Sequence, residues 1–224
     1  MDDALRAAPL FAALDPEAAD SLRATMQETP IARGGIIFAE GEPGDRLYVI
    51  SEGKVKLGTT SADGRESLLA VLGPGEMCGE LSLFDPGLRT ATATALTDAV
   101  VLGLGQPQLR PWLSGRPEVA EALLQALARR MRRTNEAMSD LVFSDVPGRV
   151  AKALLDLGDR FGEVTTDGLQ VTHDMTQEEL AQLVGASRET VNKALADFAQ
   201  RGWIRLESRS VLLLDLERLE RRSR

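Results

Sequence analysis

From Pro117 to Asp145 the chain reads PEVAEALLQALARRMRRTNEAMSDLVFSD, and after its first residue neither glycine nor proline interrupts it. Such a stretch is predicted to form one helix of about 28 residues, roughly 42 Å long at a rise of 1.5 Å per residue. Its apolar positions step alternately by four and three: Ala120, Leu124, Leu127, Met131, then Thr134, then Met138 and Leu141. This is the a/d spacing of a coiled-coil seam, which asks for a second helix alongside. Thr134, followed by Asn135, is the polar step in that seam. A polar step there costs stability, so it either fixes register and oligomer state or meets a ligand held beside the seam. Spacing alone leaves both open. The residues before the helix read as β, and those after it read as helices with a wing. The helix is therefore a candidate connector, dimer interface and signal rod together.

Composition removes several classes of function. The 224 residues make one large domain or two small ones, and 43% hydrophobic with 27% charged residues fits a globular chain. There is no run of about 18 apolar residues for a membrane span, and the acidic start MDDALRAAPLF lacks a secretory pattern, so the expected location is the cytoplasm. One cysteine, Cys78, allows neither an internal disulfide nor a cysteine-held zinc or iron–sulfur site. One histidine, His173, removes His-rich metal centres. The net charge is −8, but it is uneven. From Pro147 onward 12 Lys and Arg face 13 Asp and Glu, leaving 14 against 21 in the rest. The acidity lies in the front half, so a basic face on the back half stays compatible with nucleic acid.

Residues 2 to 25 carry short helical patterns, with Asp15-Pro16 as a cap and first-turn proline. From about Glu28 short apolar runs alternate with turns: IIF and EGEPGD, LYVI and SEGK, VKLG and SADGRE, SLLAVL and GPGE. Further strands come in TATATALTDAVVLGL. The rhythm predicts a jelly-roll-like barrel over about 28–108. Within it lies GELSLFDPGLRTATA. Backbone N–H groups after Gly79 can form an anion-binding nest, and the planar fork of Arg89 suits a phosphate, with the Thr90 hydroxyl beside it. Glu80 repels a phosphate but accepts from a sugar hydroxyl. Together they suit a nucleotide; equally, Glu80 and Arg89 can be a surface ion pair beside an ordinary loop. The barrel holds no histidine, so a cupin-type metal enzyme is excluded, and neither a Gly-x-Ser-x-Gly elbow nor a Walker loop is present.

EGEPGDRLYVISEGKVKL with GELSLFDPGLRTATA resembles the cyclic-nucleotide-binding domain, in which the Gly-Glu-Leu run and the Arg-Ser/Thr pair form a phosphate-binding cassette. The resemblance implies that Glu80 binds the ribose 2′-hydroxyl and that Arg89 and Thr90 bind the cyclic phosphate. Backbone groups of Gly79, Glu80, Leu81 and Ser82 complete the cradle. Leu88 stands where a proline often precedes the arginine, which alters loop stiffness more than ligand chemistry.

After the long helix, DVPGRVAKALLDLGDRFG predicts a helix capped by Asp145, and GLQVTHDM a short strand. In TQEELAQLVGASRETVNKALADFAQRGWI, Thr176 and Glu179 form a capping box, Gly185 breaks the first helix and Ser187 caps the second. Two short helices about a glycine turn make a helix-turn-helix, and WIRLE with SVLLLD makes a wing. Arg188, Glu189, Asn192 and Lys193 face outward at the start of the second helix. Arg pairs with guanine and Glu accepts from cytosine, as a major-groove reader needs. A solvated face with Glu189 and Lys193 paired at i,i+4 is the alternative for that helix alone.

Over nearly its whole length the chain is similar to the cyclic-AMP receptor protein family of bacterial transcription factors, especially its actinobacterial branch. The resemblance implies an α+β chain: an N-terminal cyclic-nucleotide-binding jelly-roll β-barrel (1–116), a long dimerisation helix (117–145) and a C-terminal winged helix-turn-helix (146–224). Arg188, Glu189 and Lys193 take its base-reading positions, and Thr176, Gln177, Ser187 and Thr190 its phosphate contacts. Gln177 replaces an arginine of some relatives, removing one charge contact. Thr134 matches the residue that bonds the adenine, and Asn135 the one that reaches the ligand from the partner subunit. The resemblance implies a non-enzymatic, cytoplasmic homodimer. Cyclic AMP is its allosteric ligand, with no metal, haem or iron–sulfur cluster. It binds palindromic DNA with TGTGA-type half-sites and works with RNA polymerase, not with a membrane. The hinge is expected at Phe143–Val146. Two alternatives stay open: a regulator of the same fold whose DNA binding hardly depends on ligand, and a nucleotide-binding interaction module that never reads DNA.

Overall fold

The computed structural model describes residues 3–6, 8–85 and 87–223. The chain divides into two compact units, residues 1–60 with 69–132 and residues 61–68 with 133–224. Three short helices come first: α1 (Asp3–Arg6), α2 (Pro9–Ala12) and α3 (Pro16–Thr25). Asp15 caps α3 by accepting the Ala18 N–H at 2.8 Å, and Pro16 sits in the first turn, where a missing N–H costs nothing. Eight strands come next: β1 (Gln27–Ile31), β2 (Ile36–Phe38), β3 (Arg46–Glu52), β4 (Val55–Thr60), β5 (Glu66–Leu72), β6 (Met77–Cys78), β7 (Thr92–Ala95) and β8 (Ala99–Gly105). The one-turn helix α4 (Leu81–Phe84) lies between β6 and β7, and α5 (Gln106–Gly115) leads to the long helix α6 (Pro117–Phe143).

The strands make two four-stranded sheets, in the orders β1-β8-β3-β6 and β2-β7-β4-β5. The roll expected from the turn rhythm is present, and its faces explain the apolar runs. Ile50, Val55, Leu57, Cys78, Ala93 and Val101 bury one face of each sheet against the other. Leu47, Val49, Leu102 and Leu104 point the opposite way, against Leu10, Phe11, Leu22, Leu109, Val119 and Leu123 of the helices. A sheet covered on both faces needs apolar residues on both, so LYVI and VVLGL read as unbroken runs rather than alternating ones. A register shift between Ile50 and Glu52, where β3 pairs β8, was not legible in the sequence.

In the second unit α7 (Val146–Phe161) is followed by β9 (Gly162–Val164), β10 (Leu169–Thr172), α8 (Gln177–Val184), α9 (Arg188–Gln200), β11 (Ile204–Glu207), β12 (Ser210–Leu213) and α10 (Leu216–Arg222). The strands form one antiparallel sheet, β11-β12-β10-β9. Val150, Leu154, Leu157, Leu180, Val191, Leu195 and Phe198 are buried, as their helical spacing requires. The Phe198 and Trp203 rings stack at 5.4 Å. The helix α6 ends at Phe143, two residues short of the predicted end, because Asp145 is extended and caps α7 through the Gly148 N–H. Neither β9 nor α10 was anticipated.

Gly185 closes α8 at φ 68° and ψ 45°, in the left-handed region, and a Cβ there would stand 2.9 Å from Leu141 Cδ2. Gly185→Ala is therefore expected to destabilise this unit by about 1–2 kcal/mol from the backbone alone. Urea unfolding followed by Trp203 fluorescence measures it, and an unshifted midpoint would remove the constraint from the turn.

Candidate functional site

In the first unit, Gly79 has φ +79°. It turns the chain out of β6, and a Cβ on it would lie 2.6 Å from Nη1 of Arg89. Glycine is thus required both for the turn and for the arginine beside it. Glu80 comes next and is only 1% exposed. Its Oε1 accepts from Arg130 Nη1 at 2.9 Å, while its Oε2 is buried without a hydrogen-bond partner. Arg89 is 5% exposed. Its Nη1 donates to the Gly79 carbonyl and its Nη2 to the Arg46 carbonyl, each at 2.8 Å, and its guanidinium sits 4.3 Å over the Phe38 ring. Its Nε is buried and unpartnered.

The six predicted cassette residues converge. Gly79, Glu80, Leu81, Ser82, Arg89 and Thr90 line one cleft of about 30 Å³ together with Phe38 and Arg130. Ser82 is buried, whereas Leu81 and Thr90 are exposed. An unpartnered carboxylate oxygen and an unpartnered guanidinium N–H on two residues that line one cleft fit a ligand that brings a hydroxyl and an anion. The cleft is small beside usual ligand sites of roughly 300–1,000 Å³, so side chains must give way to admit a nucleotide. Arg130 was missed in the sequence. Its partner is 50 residues away, and the available signal was its place four residues before Thr134, on the same helix face. Thr134 and Asn135 lie on exposed positions of α6 and are not among the cleft residues.

Cys78, just before Gly79, is fully enclosed, and burial pushes its thiol up to about 12. The thiol stays protonated across the physiological range. It should resist alkylation at pH 8 in the native protein and react on unfolding; rapid native labelling would contradict this burial.

In the second unit the capping box is complete. The Thr176 hydroxyl accepts from Glu179 N–H at 3.1 Å, and Glu179 Oε2 accepts from Thr176 N–H at 2.8 Å. Ser187 caps α9 through the Thr190 N–H at 3.2 Å. These caps set the start of α9, so Arg188, Glu189, Thr190 and Lys193 are presented together on one exposed edge, with Thr176, Gln177 and Ser187 also exposed. Asn192 departs from the expectation. It is half-buried, with a buried Oδ1 that has no partner. The pair weighed as the alternative exists: Lys193 Nζ donates to Glu189 Oε1 at 2.8 Å. Both side chains are largely in water, 75% and 78% exposed. Such a pair contributes at most about 1 kcal/mol, so it holds neither side chain firmly. Arg188→Ala is expected to relax discrimination at one guanine by about 1–3 kcal/mol. Equal weakening on all DNA sequences would make Arg188 a phosphate contact instead.

Comparison with known proteins matches each unit. Residues 28–115 match the cyclic nucleotide-binding domain family, and residues 148–222 match the Crp-like helix-turn-helix domain. The chain is 58% identical over 224 residues, the full length of both, to a CRP-like cAMP-activated global transcriptional regulator of Mycobacterium tuberculosis. It is 37% identical over 216 residues to the cyclic AMP receptor protein of Thermus thermophilus, covering 96% of this chain and 97% of that one. The crystal structure of a CRP-family transcriptional regulator from Thermus thermophilus superposes with a TM-score of 0.74 at 34% identity, covering 87% of this chain and 96% of the other.

Proposed function

The chain belongs to the cyclic-AMP receptor protein family of DNA-binding, nucleotide-binding transcriptional regulators, and we propose that it is a homodimeric, cyclic-AMP-responsive member that binds palindromic DNA. The observation that carries this reading is the pair of buried, unpartnered polar atoms on two residues lining one cleft, Glu80 Oε2 and Arg89 Nε. Glu80 accepts from the ribose 2′-hydroxyl. Arg89 and Thr90 hold the cyclic phosphate with backbone groups of Gly79 to Ser82. Thr134, with Asn135 from the partner subunit, receives the adenine.

The α6 seam supports the dimer. Leu124, Met131, Met138 and Leu141 are all exposed in the chain, Met131 at 67%. Ala120 and Leu127 of the same seam are half-buried, but the apolar surface left in water along the rest of it is poorly tolerated, and a second copy of the same helix covers it. On this reading residues 1–116 sense, 117–145 join the two copies and 146–224 read DNA. The ligand acts by favouring the arrangement in which two α9 helices stand about 34 Å apart, one duplex turn. The protein is then a cytoplasmic, non-enzymatic regulator that engages TGTGA-type half-sites and RNA polymerase.

A second reading is a regulator of this fold whose DNA binding is largely ligand-independent. It is favoured by the carbonyls that already take one N–H from each Nη of Arg89 and by the small cleft. Calorimetry with Arg89→Ala tests the ligand assignment. Losing the charged donors should weaken cyclic-AMP binding by about 3 kcal/mol, roughly a hundredfold in Kd, while ultracentrifugation still finds a dimer. Undiminished affinity would sink the pocket.

A further inference from the structure

The helix α10 has no role in this reading, yet its end reaches the start of α7. Asp145 Oδ1 accepts the Gly148 N–H at 2.9 Å and so caps α7. Nη2 of Arg222 lies 2.8 Å and 2.6 Å from the two oxygens of that same carboxylate. The Arg222 hydrogen bond, and after it that of Gly148, holds the Asp145 carboxyl below its usual range. Gly148 makes the approach possible. A Cβ there would lie 3.3 Å from both Nη1 and the carbonyl oxygen of Arg222. Leu219 has no exposed surface, and α10 is itself capped by Asp215 through the Arg218 N–H at 3.0 Å. It is a seated helix, not a loose tail.

Further ties of this junction come from α7. Arg149 donates to the carbonyls of Ser144 at 2.7 Å, Val184 at 3.0 Å and Gly185 at 3.3 Å. It thereby joins the exit of α6 to the turn between α8 and α9. Lys152 pairs with Asp140 at 2.6 Å. Residues 140–145 are thus held by Arg149, Lys152 and Arg222, of which Arg222 alone comes from outside α7. An exposed ion pair by itself contributes little. This carboxylate is also the cap of α7, so its position sets how α7 leaves the long helix.

We propose that Arg222 is a positioning residue for ligand-controlled DNA binding. Through Asp145 it fixes the start of α7, and with it the α8–α9 pair that α7 packs against. The proposal rests on the ligand-linked DNA binding of the proposed function. The test is DNA affinity with and without saturating cyclic AMP, at one salt concentration, in full-length wild type, Arg222→Ala, Asp145→Ala, the double variant and Arg222→Lys. The ratio of the two affinities should fall about fivefold in Arg222→Ala. Asp145→Ala should lose as much, the double variant no more, and Arg222→Lys should recover part of the ratio, since lysine keeps the charge without the fork. An unchanged ratio in Arg222→Ala, or losses that multiply in the double variant, would overturn the proposal. Should the wild type show no ligand dependence, the functional reading fails, and hydrogen exchange then decides the Arg222–Asp145 tie. Arg222→Ala should speed exchange at the Gly148 amide and leave the β10 amides unchanged; equal exchange at Gly148 would overturn it.

Discussion

Glu80 is a carboxylate almost wholly removed from water, and the ion pair it makes with Arg130 decides what the first unit can do. A buried charge is tolerated only when paired and hydrogen-bonded. One oxygen of Glu80 is satisfied by α6 and the other by nothing in the described chain. The cassette between β6 and β7 is therefore tied to the long helix by a residue that still has one bond to offer. Arg89 stands in the complementary condition, with two donors spent on carbonyls and its Nε unspent. A ligand that brings a hydroxyl and an anion is proposed to complete both. Arg130 is the side chain of the long helix that a ligand at Glu80 would meet through this pair.

The same economy recurs in the second unit, where side chains that serve the fold are also the proposed DNA contacts. Thr176 and Ser187 cap α8 and α9, and they sit where phosphates of a duplex are proposed to run. Glu189 and Lys193 pair with one another on the exposed edge of α9, where they are proposed to meet base edges. Asp145 ends one helix and begins the next while receiving Arg222. Disturbing such a residue alters geometry as well as contact, so their roles are separable only by pairs of variants.

The features legible in the sequence were local. The capping box, the glycine turn and the Ser187 cap each need only residues three or four apart, and all three are present. The roll was legible because turn residues punctuate apolar runs at short intervals. The heptad stripe was legible because its period is a property of one helix. The long-range partners were not. Arg130 looked like one of four arginines in RRMRR, and nothing local ties it to Glu80. The shift in β3 depends on the strand it pairs with, and the half-burial of Asn192 on what packs beside α9. The helix α10 carried a readable cap in Asp215, but the seven residues after it show too little periodicity to stand out. The two-residue overrun of α6 has a plain cause: Asp145 can cap α7 or extend α6, and not both.

Filling the cleft around Glu80 and Arg89 is proposed to change how the α9 edge binds DNA. The most direct measurement is the affinity of the full-length protein for a duplex bearing two inverted TGTGA half-sites one turn apart, at fixed salt, as cyclic AMP is titrated. Salt must be fixed because phosphate contacts make affinity steeply dependent on it. The account predicts that affinity rises by about tenfold or more as the ligand saturates, a coupling of about 1.4 kcal/mol or more. Affinity that stays level across the titration would contradict it.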